Sequence, residues 1–210
     1  MLTTFLNLPE GIQVRQMGYD AFVEENWASI LSPEEHKRRD AFSHPGRQRG
    51  FTLGRVALRS LLAEHLNVAP NLVPLHLGSS GQITCPESQL HLSLAHSGNQ
   101  ALATVAPVRI GIDLEEVRTK PDTLLEHILG EDEKDHIHSL PIPDSHRLFV
   151  CWTLKEAVLK AMGVGLRHAP RKVLLSIDTD SQSAKITDPD GEVWNARYVI
   201  SDNWVSAVAF

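Results

Sequence analysis

Two acidic residues of one short segment could bind a metal ion together. Asp113 and Glu115 lie two positions apart in the segment 111–115 (GIDLE). If this segment is a β-strand, both carboxylates point to one face of a sheet, while Ile112 and Leu114 point to the other face and into the core. Neighbouring carboxylates repel unless a cation lies between them, and such oxygen ligands suit Mg²⁺. The pair indicates a metal site, and a solvated strand face is the alternative.

A third carboxylate and a lysine follow on a predicted helix. Apolar residues recur at helical spacing between Asp144 and Met162, and Glu156 and Lys160 lie about one turn apart on this helix. Two interpretations stay open. The two side chains could form only a local ion pair, or Glu156 could join the metal site while Lys160 neutralises the charge of a phosphate leaving group.

Two further features favour the binding of an anion. His96 and Ser97 lie at the turn of a predicted hairpin, where they could contact a phosphate or be ordinary surface residues. The segment from His36 to Arg59 carries seven Lys and Arg residues against one acid, Asp40, although the formal net charge of the chain is −6. Such a concentration indicates a local anion site, and a solvated helix face is the alternative.

The composition is that of a globular protein. Of the 210 residues, 42% are hydrophobic and 22% are charged, which excludes disordered, collagen-like and coiled-coil chains. Cys85 and Cys151 provide neither a disulfide framework nor a C-x-x-C zinc motif. We expect a cytoplasmic protein without a signal peptide or a membrane span, because neither pattern occurs. The acidic net charge argues against nucleic acid as a partner.

The chain is expected to form an α+β fold. Ser32, Pro33 and Glu35 have the pattern of a helix start with a capping box. Helical spacing is found over 47–66, 124–140 (broken at Gly130) and 144–162. Alternation and turn residues predict a hairpin over 90–106 and further strands over 72–77, 108–117, 173–177, 184–187, 193–200 and 205–210.

Internal similarity predicts that one α+β unit occurs twice. The similar segments are 11–15 and 111–115, 53–59 and 154–160, and 101–105 and 205–209. We expect two subdomains, 1–106 and 107–210, each a small mostly antiparallel sheet packed with helices, related by a pseudo-twofold axis, with the active site in the cleft between them. The first subdomain is expected to be cationic, because this alignment places Arg55 and Arg59 opposite Glu156 and Lys160.

Three motifs in order resemble a known signature. LSLAHSG (92–98), GIDLE (111–115) and WTLKEAVLK (152–160) are similar to (F/N)-x-S-H-S, G-(I/V)-D-(I/L)-E and W-x-x-K-E-A-x-x-K of the 4′-phosphopantetheinyl transferases, Sfp-like (surfactin-synthetase-activating) group. The resemblance extends over most of the chain from about 31 to 166. It implies an enzyme that transfers 4′-phosphopantetheine from coenzyme A to a serine of an acyl or peptidyl carrier protein and releases 3′,5′-ADP.

The resemblance also implies roles for single residues. Asp113, Glu115 and Glu156 match Mg²⁺-binding positions, and Glu156 is the candidate that activates the serine hydroxyl. Lys160 matches a lysine that binds the diphosphate, and Lys155 could stabilise negative charge or contact the carrier. These assignments make Glu156, Lys160 and Lys155 the candidate catalytic residues.

The remaining assignments concern coenzyme A. The candidate contacts to its phosphates are His96, Ser97, Arg38, Arg49 and Arg55. The resemblance implies the first two, and the arginines are chosen because a guanidinium binds phosphate with two N–H groups. The chain departs from the family pattern at Gln82, where relatives have a lysine that contacts the coenzyme.

Two other functions stay open at this point. The chain could be a non-catalytic relative that binds coenzyme A or a carrier, although the intact acidic residues and Lys160 argue against it. It could also be a Mg²⁺-dependent nucleotide pyrophosphohydrolase, although no helix with an R-E-x-x-E-E pattern supports this. The two fused halves favour a monomer, and the choice among carriers stays open.

Overall fold

The computed structural model describes residues 5, 7–19, 27, 29–78, 81–121, 123–164, 168–201 and 203–210. The chain divides into two compact units, Glu10–Val108, called the N-terminal unit, and Met1–Pro9 with Arg109–Phe210, called the C-terminal unit. None of the helices in these described ranges is long and apolar enough to cross a membrane.

The N-terminal unit packs a long helix on a small antiparallel sheet. Its elements are β1 (Gln13–Gly18), α1 (Pro33–Asp40), α2 (Pro45–Leu66), β2 (His76–Leu77), β3 (Ile83–Thr84), β4 (His91–Ser97) and β5 (Gln100–Ala106). The main sheet has the order β1-β5-β4, and β2 pairs with β3. Leu58, Leu61 and Leu62 of α2 pack with Ala103 and Val105 of β5, and this contact forms the core of the unit.

Helix α1 starts at the capping box that the sequence predicts, and α2 starts two residues before its predicted segment 47–66. The Ser32 hydroxyl accepts a hydrogen bond from the backbone N–H of Glu35 at 3.3 Å, and the Glu35 carboxylate accepts one from the Ser32 N–H at 3.0 Å. This capping box satisfies two N–H groups that the first turn leaves without partners. Helix α2 begins at Pro45, whose fixed φ suits a first helical position.

The C-terminal unit packs another long helix on a larger sheet. Its elements are β6 (Gly111–Glu116), α3 (Thr123–Ile128), α4 (Lys134–Ser139), α5 (Asp144–Ala161), β7 (Leu174–Asp178), β8 (Ser183–Thr187), β9 (Val193–Ile200) and β10 (Trp204–Ala209). The antiparallel sheet has the order β6-β10-β9-β8-β7. Leu154 and Val158 of α5 share one core with Ala196, Val205 and Ala207 of the sheet.

The predicted α+β class and the predicted antiparallel sheets are confirmed. Both units begin with a strand, continue through a long helix and end with a hairpin whose last strand lies in the middle: β5 between β1 and β4, and β10 between β6 and β9. The predicted strand over 72–77 is wrong for most of its length, because Pro70–Leu72 is a 3₁₀ turn and only His76–Leu77 is a strand. Pro74 has no N–H to donate to a sheet. The pseudo-twofold relation and the boundary at residue 106 stay predictions.

Candidate active site

A glycine sets the distance between helix α5 and strand β6. A Cβ atom on Gly111 would lie 1.9 Å from the backbone oxygen of Ala157 and 2.6 Å from the backbone nitrogen of Ala161. The helix therefore rests directly on the strand backbone, which a side chain at position 111 would prevent. Because side chains alternate along a strand, Asp113 lies on the same face as Gly111, the face that α5 covers.

This placement changes one detail of the predicted strand. Ile112 and Leu114 are buried on the other face, with 0% and 2% of their surfaces exposed, but they are not part of the core that α5 forms. The alternation of the strand predicts that the carboxylates lie on the face opposite the core. In the structure, Asp113 instead lies against the helix that builds the core, and 6% of its surface is exposed.

Lys160 connects the helix to this strand. Its ammonium donates hydrogen bonds to Asp113 Oδ1 at 2.7 Å and to the carbonyl oxygen of Ile112 at 3.1 Å. The ion pair joins residues 47 positions apart. Lys160 therefore links helix α5 to strand β6. From the sequence alone, a local ion pair between Lys160 and Glu156 is an alternative.

Glu156 lies in an electrostatic environment that disfavours its charge. Burial is the main cause that raises its pKa, and the carboxylates of Asp113 and Glu115 raise it further, while Lys160 opposes them. Its Oε1 atom is buried and has no hydrogen-bond partner among the described residues. The structure thus brings the three predicted carboxylates and Lys160 into one neighbourhood, with a buried oxygen that lacks a donor.

The carboxylates can be tested as ligands for the divalent cation that the resemblance implies. Across the described ranges, no group of three or more His, Cys, Asp or Glu side chains is already arranged to hold a metal ion. The chemistry of the donors nevertheless fits Mg²⁺, because they are all carboxylate oxygens. Since Glu156 Oε1 is buried without a hydrogen bond, a cation would satisfy it.

Lys155 does not join this neighbourhood, and its predicted catalytic role is corrected here. None of its side chain is exposed. Its ammonium donates to Glu133 and to the carbonyl oxygens of Pro170, at 3.1 Å, and Val173, at 2.6 Å. Burial lowers the pKa of Lys155, and the hydrogen bond to Glu133 opposes that shift. All three N–H donors have protein acceptors, so Lys155 has none left for a substrate or a carrier.

Arg38 and Arg55 of the N-terminal unit both lie close to the aromatic ring of Phe51. Their guanidinium carbons are 5.8 Å and 5.1 Å from the centre of the Phe51 ring. Arg55 is buried, and its Nε lies 3.3 Å from a carboxylate oxygen of Glu35. Two of its nitrogens, Nε and Nη1, have no hydrogen-bond partner among the described residues. Burial lowers the pKa of Arg55 and the charge of Arg38 lowers it further, while Glu35 raises it.

Arg49 and His96 occupy another part of the same unit. The guanidinium of Arg49 lies 5.2 Å from the centre of the Tyr19 ring, and its Nε is buried without a hydrogen-bond partner within the described part of the chain. His96 lies against helix α2, since a Cβ atom on Gly50 would be 2.7 Å from its Nδ1. The predicted phosphate-binding residues therefore have different neighbours: Arg38 and Arg55 lie near Phe51, whereas His96 lies near Gly50.

Ser97 and Gln82 lie at turns of the same unit. Ser97 is the last residue of β4, beside the turn at Gly98, whose φ is +52°. The backbone oxygen of Gln82 accepts a hydrogen bond from Gly78 at 2.8 Å, and the residue is exposed in the β2–β3 hairpin. The sequence also predicts a turn over 78–81, of which residues 79 and 80 lie outside the described residues.

The structure identifies a different alignment of the two units from the predicted one. Arg15 and Glu64 form an ion pair at 2.8 Å between β1 and α2, as Asp113 and Lys160 do between β6 and α5. The helices therefore correspond with an offset of 96 residues, not 101, and Ser60 stands where the second unit has Glu156. The N-terminal unit keeps the same pair with its charges exchanged, and the predicted equivalence of Arg55 with Glu156 is wrong.

A pocket of about 830 Å³ lies in the C-terminal unit beside the start of helix α5. Val117, Arg118, Lys120 and Phe149 contribute to its walls. None of the predicted site residues lines it, so it is separate from the carboxylate neighbourhood.

The comparison with known proteins agrees with the resemblance of the motifs. Residues 109–209 match the model of the 4′-phosphopantetheinyl transferase superfamily. The 4′-phosphopantetheinyl transferase HetI of Nostoc sp. is 35% identical over 195 residues, which cover 88% of this chain and 80% of that protein. The 4′-phosphopantetheinyl transferase Sfp of Bacillus subtilis is 23% identical, with 88% and 84% covered.

Among solved structures, one similar protein is the holo-[acyl-carrier-protein] synthase of Helicobacter pylori in complex with coenzyme A. The similar region covers 48% of this chain and 96% of that chain, with 21% sequence identity and a TM-score of 0.39. The extent of the similarity to HetI assigns the chain to a family. The chain belongs to the 4′-phosphopantetheinyl transferase superfamily, and the predicted enzyme class is confirmed.

Proposed function

We propose that this protein transfers the 4′-phosphopantetheine group of coenzyme A to a serine hydroxyl of an acyl or peptidyl carrier protein, and that Asp113, Glu115 and Glu156 hold a Mg²⁺ ion for this reaction. The observation that carries the proposal is the buried Glu156 Oε1 without a hydrogen bond, beside two further carboxylates and Lys160. The bond that breaks joins two phosphates, so neutralisation of charge and positioning are the main requirements.

In this proposal, different residues of the C-terminal unit neutralise charge and accept the proton. A Mg²⁺ ion held by Asp113, Glu115 and Glu156 would supply positive charge that offsets the negative charge of the diphosphate. Lys160 supplies a second cation, held in place by the Ile112 carbonyl and Asp113, and it stabilises the 3′,5′-ADP that leaves. The Glu156 carboxylate accepts the proton of the serine hydroxyl, directly or through a water molecule, while the serine oxygen forms its bond to phosphorus.

The residues of the N-terminal unit bind the phosphates of coenzyme A in this proposal. Arg55 supports this role, because it is buried and two of its nitrogens have no hydrogen-bond partner within the described residues. Arg38 adds positive charge beside it, and Arg49 contributes a further guanidinium, next to Tyr19. His96, which lies against helix α2, is a further candidate contact. That the bound substrate contacts both units, and that the protein is monomeric and cytoplasmic, stay predictions.

A transfer assay tests the proposal. The protein is incubated with coenzyme A, Mg²⁺ and a panel of apo-carrier proteins, and each carrier is analysed by mass spectrometry together with the nucleotide products. We expect one carrier or more to gain the mass of phosphopantetheine while 3′,5′-ADP accumulates. Binding of coenzyme A without any mass gain would favour a non-catalytic relative. Hydrolysis of coenzyme A without a carrier would favour a pyrophosphohydrolase.

A further inference from the structure

Glu133 and Lys155 form a buried ion pair that the proposed chemistry does not use. Glu133 is 3% exposed, and besides Lys155 it accepts hydrogen bonds from the backbone N–H groups of Gly130, at 2.7 Å, and Leu175, at 2.8 Å. Both charged groups are therefore fully hydrogen-bonded, which is the condition under which a buried ion pair is tolerated. The pair joins α5 to the turn before α4 and to the start of β7.

The N-terminal unit contains the same arrangement with other residues. The buried Arg59 of α2 donates to Glu35 at 2.6 Å and to the carbonyl oxygens of Pro70, at 2.8 Å, and Val73, at 3.0 Å. Each long helix is followed by a 3₁₀ turn, Pro70–Leu72 in one unit and Pro170–Lys172 in the other. In both units a basic side chain of the long helix binds a glutamate before the helix, the carbonyl at the start of this turn and the carbonyl of the residue just after it. We call this arrangement the clamp.

We propose that Lys155 and Glu133 are positioning residues that hold Glu156 towards Asp113, an inference that rests on the proposed function. Lys155 and Glu156 are consecutive, so their side chains leave the helix about 100° apart. When the clamp fixes the direction of Lys155, the rotation of α5 is fixed, and Glu156, about 100° further around the helix, is directed to strand β6.

The second clamp shows that this role does not require contact with a substrate. The residue after Arg59 is Ser60, so the N-terminal unit has the clamp but no carboxylate at the position of Glu156. A clamp that occurs without the carboxylate belongs to the fold of the unit. In the C-terminal unit, the clamp also affects the proposed reaction, because Glu156 is the residue directly after Lys155.

Hydrogen exchange tests whether the clamp holds the helix, without any metal or substrate. The variant is Lys155→Met, which keeps the length of the side chain and removes its charge, and the matched control is Arg59→Met in the other unit. We expect the amides of 155–161 to exchange at least about tenfold faster in Lys155→Met and at the wild-type rate in Arg59→Met. Unchanged exchange in Lys155→Met would overturn the proposal.

Calorimetric titration with Mg²⁺ tests the effect on Glu156. We expect Lys155→Met to weaken Mg²⁺ binding at least about tenfold and to lower kcat more than it raises KM for coenzyme A, and we expect Arg59→Met to bind Mg²⁺ like the wild type. Equal weakening in both variants would mean general loss of stability and would contradict the proposal.

Two further results separate this proposal from the proposed function. If the wild-type protein bound no Mg²⁺, the metal assignment would be wrong, while the exchange experiment would still decide whether the clamp holds α5. If Lys155→Met did not fold, Glu133→Gln, which keeps an oxygen acceptor and removes the charge, would give the same comparison, and wild-type exchange of 155–161 in that variant would count against the clamp.

Discussion

Among single residues, Asp113 is the most direct probe of the proposed metal site. We expect Asp113→Ala to lose nearly all transfer, because two carboxylates then remain beside the diphosphate and Lys160 loses its partner. The melting temperature should change by less than about 5 °C, since Lys160 is partly exposed and one partly solvated ion pair contributes little. Transfer is measured by the mass of the carrier, and thermal unfolding is measured alongside it.

Arg15→Ala is the matched control for Asp113→Ala. It breaks the corresponding ion pair with Glu64 in the N-terminal unit, and it should leave the Mg²⁺ dependence of transfer unchanged. Wild-type transfer by Asp113→Ala, or full activity of the wild type in excess chelator, would show that the metal site is assigned to the wrong residues.

Gln82 is a residue at which the resemblance implies a departure from the family pattern, since it stands where a lysine that contacts the coenzyme is expected. We expect Gln82→Lys to tighten the binding of coenzyme A about threefold to tenfold, or roughly 0.6–1.4 kcal/mol. Because Gln82 is exposed, water and salt screen the added charge and keep the effect small. Titration calorimetry measures it, and kcat should change little because the contact is present in both the ground and transition states.

Thr84→Lys adds the same charge two residues away, on an exposed position of β3. If Gln82→Lys and Thr84→Lys tightened the binding of coenzyme A equally, the effect would be general electrostatic attraction between the added lysine and the phosphates. Weaker or unchanged binding by Gln82→Lys would mean that the β2–β3 hairpin is not the loop that contacts the nucleotide.

At the scale of elements, the contact of helix α5 with strand β6 determines where the carboxylates meet. Gly111→Ala places a methyl group 1.9 Å from the Ala157 oxygen, so the helix or the strand must move. We expect a loss of about 1–3 kcal/mol in the free energy of unfolding, which is typical of overpacking, and a lower kcat because Glu156 moves away from Asp113. Urea unfolding and the transfer assay measure the two effects.

Gly54→Ala is the control in helix α2. Its added methyl group would lie 3.2 Å from a terminal carbon of Leu94, which can move, and alanine favours a helix over glycine by about 1 kcal/mol. We expect the stability of this variant to equal or exceed that of the wild type. If Gly111→Ala were equally harmless, the close approach of α5 to β6 would not be required.

At the scale of the whole molecule, the uneven distribution of charge predicts how a carrier is recognised. The chain has a formal charge of −6, but Lys37, Arg38 and Arg47 are exposed in the basic segment. If an acidic carrier binds there, its KM rises with salt concentration. We expect Lys37→Glu and Arg47→Glu to raise the KM for the carrier and leave the KM for coenzyme A unchanged.

A flat response of the carrier KM to salt would contradict docking through charge and favour an apolar interface. The residues around Gly163–Leu166, after α5, are a second candidate for carrier docking. Gly163 and Val164 are described, whereas 165 and 166 lie outside the described residues.

Local patterns were sufficient to predict the elements that carry the site. The capping box of Ser32 and Glu35, the hairpin over 90–106, the GIDLE strand and the helix from Asp144 are all present. Each of these is encoded by residues a few positions apart, through side-chain alternation, helical spacing or a cap. The motifs on these elements also indicated the family that the comparison confirmed.

Contacts between residues distant in the sequence decided the roles of Lys155 and Lys160, which the sequence motif left open. Lys155 and Lys160 stand in one motif, yet Lys155 is buried against Glu133, 22 residues away, and Lys160 binds Asp113, 47 residues away. The sequence determined that both are lysines of one helix, five positions apart. Only the tertiary structure decided that one holds the helix in place and the other reaches the carboxylates, because a helix presents each side chain to whatever packs against that face.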